Sequence, residues 1–333
     1  MKVAPFDIMD LVHGALHTAV TAEGEVRFAR FTEAQKEAYY ARREDFGVKC
    51  NASAGVTLDF ISNTDHISFE AEFRKGSSRT YATVDLLVDN VLFDSKKVAS
   101  PGVYPFAFDL PQGEHRITLA LPWSAETELR ALTVDDGATL IPLEKELRIL
   151  SIGDSITQGY VAEHPSMTYV SYFARALNAE VLNQGIGGYQ FFKESLNGAP
   201  DWQPDVITLA YGTNDFHTLH SHEAFAAQAK EYITALCAAY PDTPILAITP
   251  IYRGDKPLEE RLPVKDYSFA EAMEILREIY AAHPQIRVLD GLAFYPRPQD
   301  FFAPDYLHPN DQGFLLYGRA VEQAIKEVYY GFH

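Results

Sequence analysis

Cysteine is almost missing from this chain: Cys50 and Cys237 are the only two among 333 residues. So far apart in sequence, they can form neither a disulfide framework nor zinc-type spacing, and they read as two buried thiols in a reducing compartment. Long apolar runs are missing as well. No segment approaches the ~18 apolar residues of a membrane span. The N-terminal stretch MKVAPFDIMDLVHGALHTAV places acidic and histidine residues where a secretory signal needs an unbroken apolar core, so a cytoplasmic protein is expected. Positive charge is also scarce. With 46 acidic against 28 basic residues the formal charge is -18, which repels phosphate backbones and anionic lipid heads. Neither nucleic acid nor membrane is expected as a partner. There is no internal repeat and no low-complexity segment.

What remains is ordinary globular composition, 47% hydrophobic and 22% charged, at a length that suggests two domains. From about Gly55 to Leu143 short runs rich in β-branched and aromatic residues alternate with turn residues. The runs are 56–62, 66–73, 81–89, 102–110, 115–123 and 129–136. In one of them Ile67, Phe69, Ala71 and Phe73 alternate with His66, Ser68, Glu70 and Glu72, the period of a half-buried antiparallel strand. Asp89-Asn90, Pro111-Gln112-Gly113 and Asp136-Gly137 supply turns. Six short strands at this spacing predict a β-sandwich of jelly-roll type over residues 1–143. A short helix from Thr32 to Glu44, with Thr32 as N-cap, precedes them.

Beyond Glu144-Lys145-Glu146, read as the linker, residues 144–333 change period. Buried strands at 147–152, 180–183, 206–211, 245–249 and 287–290 alternate with helical stretches such as 221–239, 268–282 and 310–329. This predicts an α/β domain with a doubly wound, parallel five-stranded sheet of flavodoxin type. Ligands of such sheets bind beyond the carboxyl ends of the strands. Four polar clusters fall there: Gly153-Asp154-Ser155, Asn183-Gln184-Gly185-Ile186-Gly187-Gly188, Gly212-Thr213-Asn214-Asp215, and Asp305-Tyr306-Leu307-His308. They fit acyl transfer. A serine hydroxyl becomes a nucleophile when an imidazole, oriented by a carboxylate, takes its proton, and Asp305 and His308 are close enough for one local turn to pair them. The oxyanion of the tetrahedral intermediate needs preorganised donors, which the N–H groups of Ser155 and Gly188 and the amide of Asn214 can supply.

These blocks resemble those of the SGNH (GDSL-type) hydrolase superfamily: GDSIT at 153–157, the glycine of NQGIGG at Gly188, GTND at 212–215 and Asp-x-x-His at 305–308. The resemblance covers roughly the last 190 residues. It implies Ser155 as nucleophile, His308 as general base, Asp305 as its orienter, and Ser155, Gly188 and Asn214 as the oxyanion hole. Of Gly185, Gly187 and Gly188, the last is chosen because it stands where the chain leaves the strand end. By analogy of domain order, the first half is similar to the sandwiches that precede the hydrolase in some carbohydrate esterases.

The expected activity is therefore a serine esterase that removes a short acyl group, acetyl first, from a carbohydrate or other hydroxylated small molecule, with no cofactor and no metal. The same residues also allow an acyltransferase with an alcohol or amine acceptor, or a glycan-binding protein whose hydrolase domain is degenerate. The oligomeric state, homo-oligomer included, stays open. Asp154 and Asp215 are read as structural. His217, His220 and His222 are read as loop residues, because no acidic or cysteine partner completes a ligand pattern. Tyr160, Tyr189, Phe191, Phe192, Phe216 and Tyr306 flank the motifs, either as core or as an aromatic wall beside the acyl pocket.

Overall fold

The computed structural model of the chain describes residues 1–332. In chain order the first half contains α1 (Pro5–Met9), β1 (Val12–His13), β2 (His17–Val20), β3 (Val26–Ala29), α2 (Glu33–Arg42) and α3 (Glu44–Cys50). Eight strands follow: β4 (Thr57–Ser62), β5 (His66–Lys75), β6 (Tyr81–Val88), β7 (Val91–Ala99), β8 (Gly102–Asp109), β9 (His115–Ala120), β10 (Ala125–Val134) and β11 (Ile141–Pro142). They form two antiparallel sheets, one ordered β1-β4-β9-β6-β7 with β11 paired to β4, the other β2-β3-β10-β5-β8. Ile67, Phe69, Ala71 and Phe73 of β5 are buried between the sheets, as their alternation predicts.

Each of the six predicted strand runs overlaps an observed strand, but five strands were not foreseen. β7 reads VLFDSKKVA and lies at a sheet edge, where lysines guard the unpaired backbone and little apolar pattern is needed. β1, β2, β3 and β11 are only two to four residues long. The helix expected over 32–44 is two helices. Thr32 does cap the first, reciprocally with Gln35, but Arg43 is extended and ends it. The break folds α3 back onto α2 so tightly that a Cβ on Gly47 would overlap the Tyr40 ring.

The second half runs β12 (Leu147–Gly153), α4 (Ser155–Gln158), α5 (Tyr169–Ala176), β13 (Ala179–Gly185), β14 (Val206–Ala210), α6 (Thr213–Thr218), α7 (His222–Ala239), β15 (Ile245–Ile248), α8 (Phe269–Ala281), β16 (Ile286–Leu289), α9 (Gly291–Phe294) and α10 (Asp311–Phe332). All five strands are parallel, in the order β13-β12-β14-β15-β16. This is the α/β, doubly wound flavodoxin-like order that the alternating pattern predicts, and its topological switch point lies between β12 and β14. Helices cover both faces, which is why β12, β14 and β15 read as nearly continuous apolar runs.

The two halves are packed together. The face of β6 that should meet solvent is buried, and its Asp85, fully buried, accepts hydrogen bonds from Ser166 N–H (3.0 Å) and Ser166 Oγ (2.6 Å) of the second half. Lys145, within the predicted linker, is tied to buried Asp59 beneath the sandwich. Cys50 and Cys237 are free and buried. Among the described residues no helix is long and apolar enough to cross a membrane.

Candidate active site

β12 delivers Ser155 through a turn that only small residues allow. A Cβ on Gly153 would lie 2.0 Å from Thr157 Oγ1 and 3.0 Å from the Ala210 carbonyl, so glycine lets the strand pass directly into α4. Asp154 caps that turn, its Oδ1 accepting the Ile156 N–H at 3.0 Å. Asp154 is wholly buried, and burial pushes its pKa up to about 6 against the hydrogen bond from Ile156 and the charges of His308 and Arg253. Its part is to hold the loop. Ser155 is then the first helical residue, with an N–H that has no acceptor among the described residues.

The Asp305 turn brings the base to it. Asp305 Oδ1 accepts the N–H groups of Leu307 and His308, both at 3.0 Å, while Oδ2 is 2.7 Å from His308 Nδ1. Tyr306 takes a positive φ of 54° to let this tight turn close. With Nδ1–H donated to the carboxylate, Nε2 is the bare nitrogen, and it lies 2.8 Å from Ser155 Oγ. Ser155 and His308 are buried, 7% and 8% exposed, whereas Asp305 lies open to solvent. Partial burial alone would raise the Asp305 pKa, but the bonds from His308 and from the two backbone N–H groups hold it well below the usual carboxylate range.

Three glycines stand at the end of β13 and just beyond it, at 185, 187 and 188. The Gly185 N–H donates to Asn183 Oδ1 (2.9 Å) and the Gly187 N–H to Gln158 Oε1 (2.8 Å). The Gly188 N–H has no acceptor among the described residues, and Gly188 has φ +83°, where a side chain would be strained. Asn214, in the first turn of α6, donates from Nδ2 to the Tyr189 carbonyl at 3.1 Å and makes a longer contact of 3.4 Å with Asp154 Oδ2. The neighbouring Asp215 faces inward. It accepts the Phe191 N–H (3.0 Å) and Gln228 Nε2 (2.8 Å), so it fastens the chain after Gly188 to α6 and α7.

The flanking aromatic residues divide. Tyr189, Phe191 and Phe216 are core residues at 1% exposure, and Tyr306 is a surface side chain. Tyr160 belongs to the site, with its ring centroid 5.2 Å from that of His308. The first half supplies its surroundings: Trp123 packs against it at 5.2 Å, Ser78 bonds its hydroxyl, and the Arg79 guanidinium lies over its ring at 4.9 Å. On the opposite loop, Lys49 Nζ donates to the Gly187 carbonyl at 2.8 Å, and Arg43 lies against Gly188. Sequence reasoning missed Arg43, Lys49, Ser78, Arg79 and Trp123, because no motif marks them and only the packing of the two halves brings them here.

His217, His220 and His222 do not converge into a ligand set. Glu163, His164 and Asp311 do bring ligand atoms within 4.8 Å of one another, but His164 already faces Asp85 at 3.1 Å and Asp311 accepts the Glu163 N–H at 3.0 Å.

Residues 151–316 match the family model of the GDSL-like Lipase/Acylhydrolase family. The acetylxylan esterase / glucomannan deacetylase of Cellvibrio japonicus (strain Ueda107) is 26% identical over 245 residues, 61% of this chain and 67% of that protein. Among solved structures, the salicylyl-acyltransferase SsfX3 from a tetracycline biosynthetic pathway superposes with a TM-score of 0.76 at 21% identity, over 95% of this chain and 94% of that one. A family two carbohydrate esterase from Cellvibrio japonicus gives a TM-score of 0.64 at 17% identity, over 100% and 99% of the two chains. These two likenesses establish that antiparallel sheets followed by a parallel α/β sheet form a recurrent arrangement over the whole chain length.

Proposed function

We propose that this chain, a carboxylic ester hydrolase of the GDSL-like lipase/acylhydrolase family through its residues 151–316, removes acetyl groups from a carbohydrate by a Ser-His-Asp mechanism. The observation that carries the reading is the continuous line from Asp305 Oδ2 through His308 to Ser155 Oγ, with bonds of 2.7 and 2.8 Å. The N–H groups of Ser155 and Gly188, which have no acceptor among the described residues, support an oxyanion hole there. The name of the 26% identical relative supports acetyl as the acyl group and a polysaccharide as the alcohol.

In this reading His308 Nε2 takes the Ser155 proton as Oγ bonds to the ester carbonyl carbon. The carbonyl π electrons move onto oxygen, and the resulting oxyanion is held by the N–H groups of Ser155 and Gly188. The Asn214 N–H now in long contact with Asp154 is the third donor. Collapse of the intermediate breaks the bond to the alcohol, which leaves with the proton from His308. Water then repeats the sequence on the acetyl-serine, releasing acetate and restoring the Ser155 hydroxyl.

Nitrophenyl esters of rising chain length test the acyl preference. Acetate should give the highest kcat/KM, and a preference for octanoate would remove the short-acyl part. Ser155→Ala should lower kcat by about 10⁴-fold or more with an unchanged melting temperature, and undiminished turnover would take Ser155 out of the mechanism. Water is the acceptor here. If added sugars diverted most of the acyl group into new esters, the second step would be transfer and not hydrolysis.

A further inference from the structure

We infer that the alcohol part of the ester carries an oxyanionic group, a carboxylate or a phosphate, and that Arg79 reads it. This rests on the esterase reading above and specifies its substrate.

Arg79 stands in the turn between β5 and β6, half-buried, with a buried Nε that has no partner. No carboxylate, carbonyl or hydroxyl pairs with its guanidinium among the described residues, although the chain has 46 acidic residues to offer. Other arginines show what pairing looks like here: Arg116 takes Asp59 with two bonds, at 2.9 and 2.6 Å, and Arg253 takes Asp255 with two at 2.7 Å. Arg79 is held by the face of Tyr160 instead. A cation–π contact fixes the guanidinium plane without consuming its N–H donors, which remain free along the edge of the plane.

The location suits a substrate-reading role. Tyr160 is also the ring beside His308, so the two contacts laid end to end put Arg79 within about 10 Å of the catalytic imidazole. A single sugar ring with one substituent covers that span. At the Gly188 loop, Arg43 Nη2 lies 3.5 Å from where a Cβ on Gly188 would stand. Arg43 and Lys49 share one carboxylate, Asp45, at 2.9 and 2.7 Å. The charges of Asp45, Asp305 and Arg79 all act on the Tyr160 hydroxyl. Asp305 is engaged by His308. Arg79 is thus left as an unpaired cation over Tyr160, on a molecule whose net charge is -18. A planar fork of donors matches a carboxylate or phosphate in bidentate fashion. A neutral sugar offers hydroxyl acceptors but no pair of anionic oxygens to match the fork, and such neutral bonds are about half as strong.

Equilibrium binding tests this without turnover. In the Ser155→Ala chain, the methyl glycoside of glucuronic acid, its carboxylate free, or glucose 6-phosphate should bind at least about tenfold more tightly than methyl glucoside, and the tighter of the two anions identifies the group. Adding Arg79→Met should remove most of that preference, and Arg79→Lys, which keeps charge but loses the fork, should restore only part of it. In the active chain, Arg79→Met should lower the kcat/KM ratio of acetylated glucuronate over acetylated glucoside about tenfold, chiefly through KM. Equal affinity for charged and neutral sugars, or a preference that survives Arg79→Met in a chain with normal melting, would overturn the inference while normal acetyl-ester turnover kept the esterase reading. Anion preference without any ester turnover would overturn the esterase reading alone.

Discussion

Asp305 shows how much a single side chain is asked to do. One oxygen closes its own turn by accepting two backbone N–H groups, and the other fixes the His308 ring. Because the two tasks fall on different oxygens, Asp305→Asn separates them. The remaining carbonyl oxygen still closes the turn, but the new amide donates to Nδ1 and forces the proton onto Nε2, where it blocks acceptance from Ser155. We expect kcat on nitrophenyl acetate to fall by about 10³- to 10⁴-fold with little change in melting temperature. Asp215 makes the opposite case of a carboxyl held neutral. Burial drives its pKa up to about 7, against the hydrogen bonds from Phe191 and Gln228, and its Oδ2 has no partner. An unfolded aspartate releases its proton near pH 3.8. Between those values the folded state holds a proton that the unfolded chain has lost, so the stability this group contributes is present in acid and declines as pH rises towards 7. Asparagine has no proton to lose. The melting temperature of Asp215→Asn relative to the parent should therefore rise between pH 5 and pH 8, and a difference that stays flat or falls would mean that Asp215 is ionised throughout.

At the scale of elements, legibility followed burial. β12, β14 and β15 are covered on both faces and so read as apolar runs, and the residue clusters at the strands' carboxyl ends could be found once those strands were placed. β7 has no such run, because an edge strand needs lysines more than a buried face. The break at Arg43 also has no local mark. What accompanies it is Gly47 packed close on Tyr40, a contact that exists only after the chain folds back. Arg79 and Trp123 reach the site across long sequence separations, and no spacing rule links them to Ser155. Arg30 is the strongest example of such a tie. Wholly buried, it donates to the carbonyls of Ala52 (2.5 Å), Lys49 (3.0 Å) and Asn183, with a longer contact to Gly185 (3.5 Å). Burial lowers its pKa only to about 10, so it stays charged at neutral pH. It thereby joins the end of α3 to the end of β13, just before the Gly187-Gly188 loop. Arg30→Met leaves these carbonyls buried without donors, at about 1–3 kcal/mol each when no water replaces them. A loss of at least about 3 kcal/mol in urea unfolding is expected, and a loss below 1 kcal/mol would show that water takes its place.

For the whole molecule, the change of sequence period near Glu144 marks a change of architecture, but the packing does not divide there. Phe31, Tyr39, Phe46 and Cys50 of the first half belong to the same buried cluster as Ile152, Ile186, Tyr189 and Tyr211 of the second. Ala54 and Trp123 belong to another with Tyr169, Phe173 and Tyr317. Tyr39 and Tyr189 meet at 4.6 Å between ring centroids, Trp123 Nε1 donates to the Ala162 carbonyl at 3.0 Å, and Asp85 is buried beneath Ser166. Cutting at residue 144 would expose one side of each cluster and leave several buried polar groups unpaired, which costs more than a marginally stable fold retains. The full chain should therefore unfold in one transition that far-ultraviolet and near-ultraviolet circular dichroism follow together. The segment 144–333 made alone should keep helix and strand signal, lose near-ultraviolet ellipticity, bind a hydrophobic dye and show no ester turnover. A fragment that melts cooperatively within a few degrees of the full chain would refute this. In that case the first half would shape the mouth of the site through Arg43, Arg79 and Trp123 without being needed to build the sheet that aims Ser155.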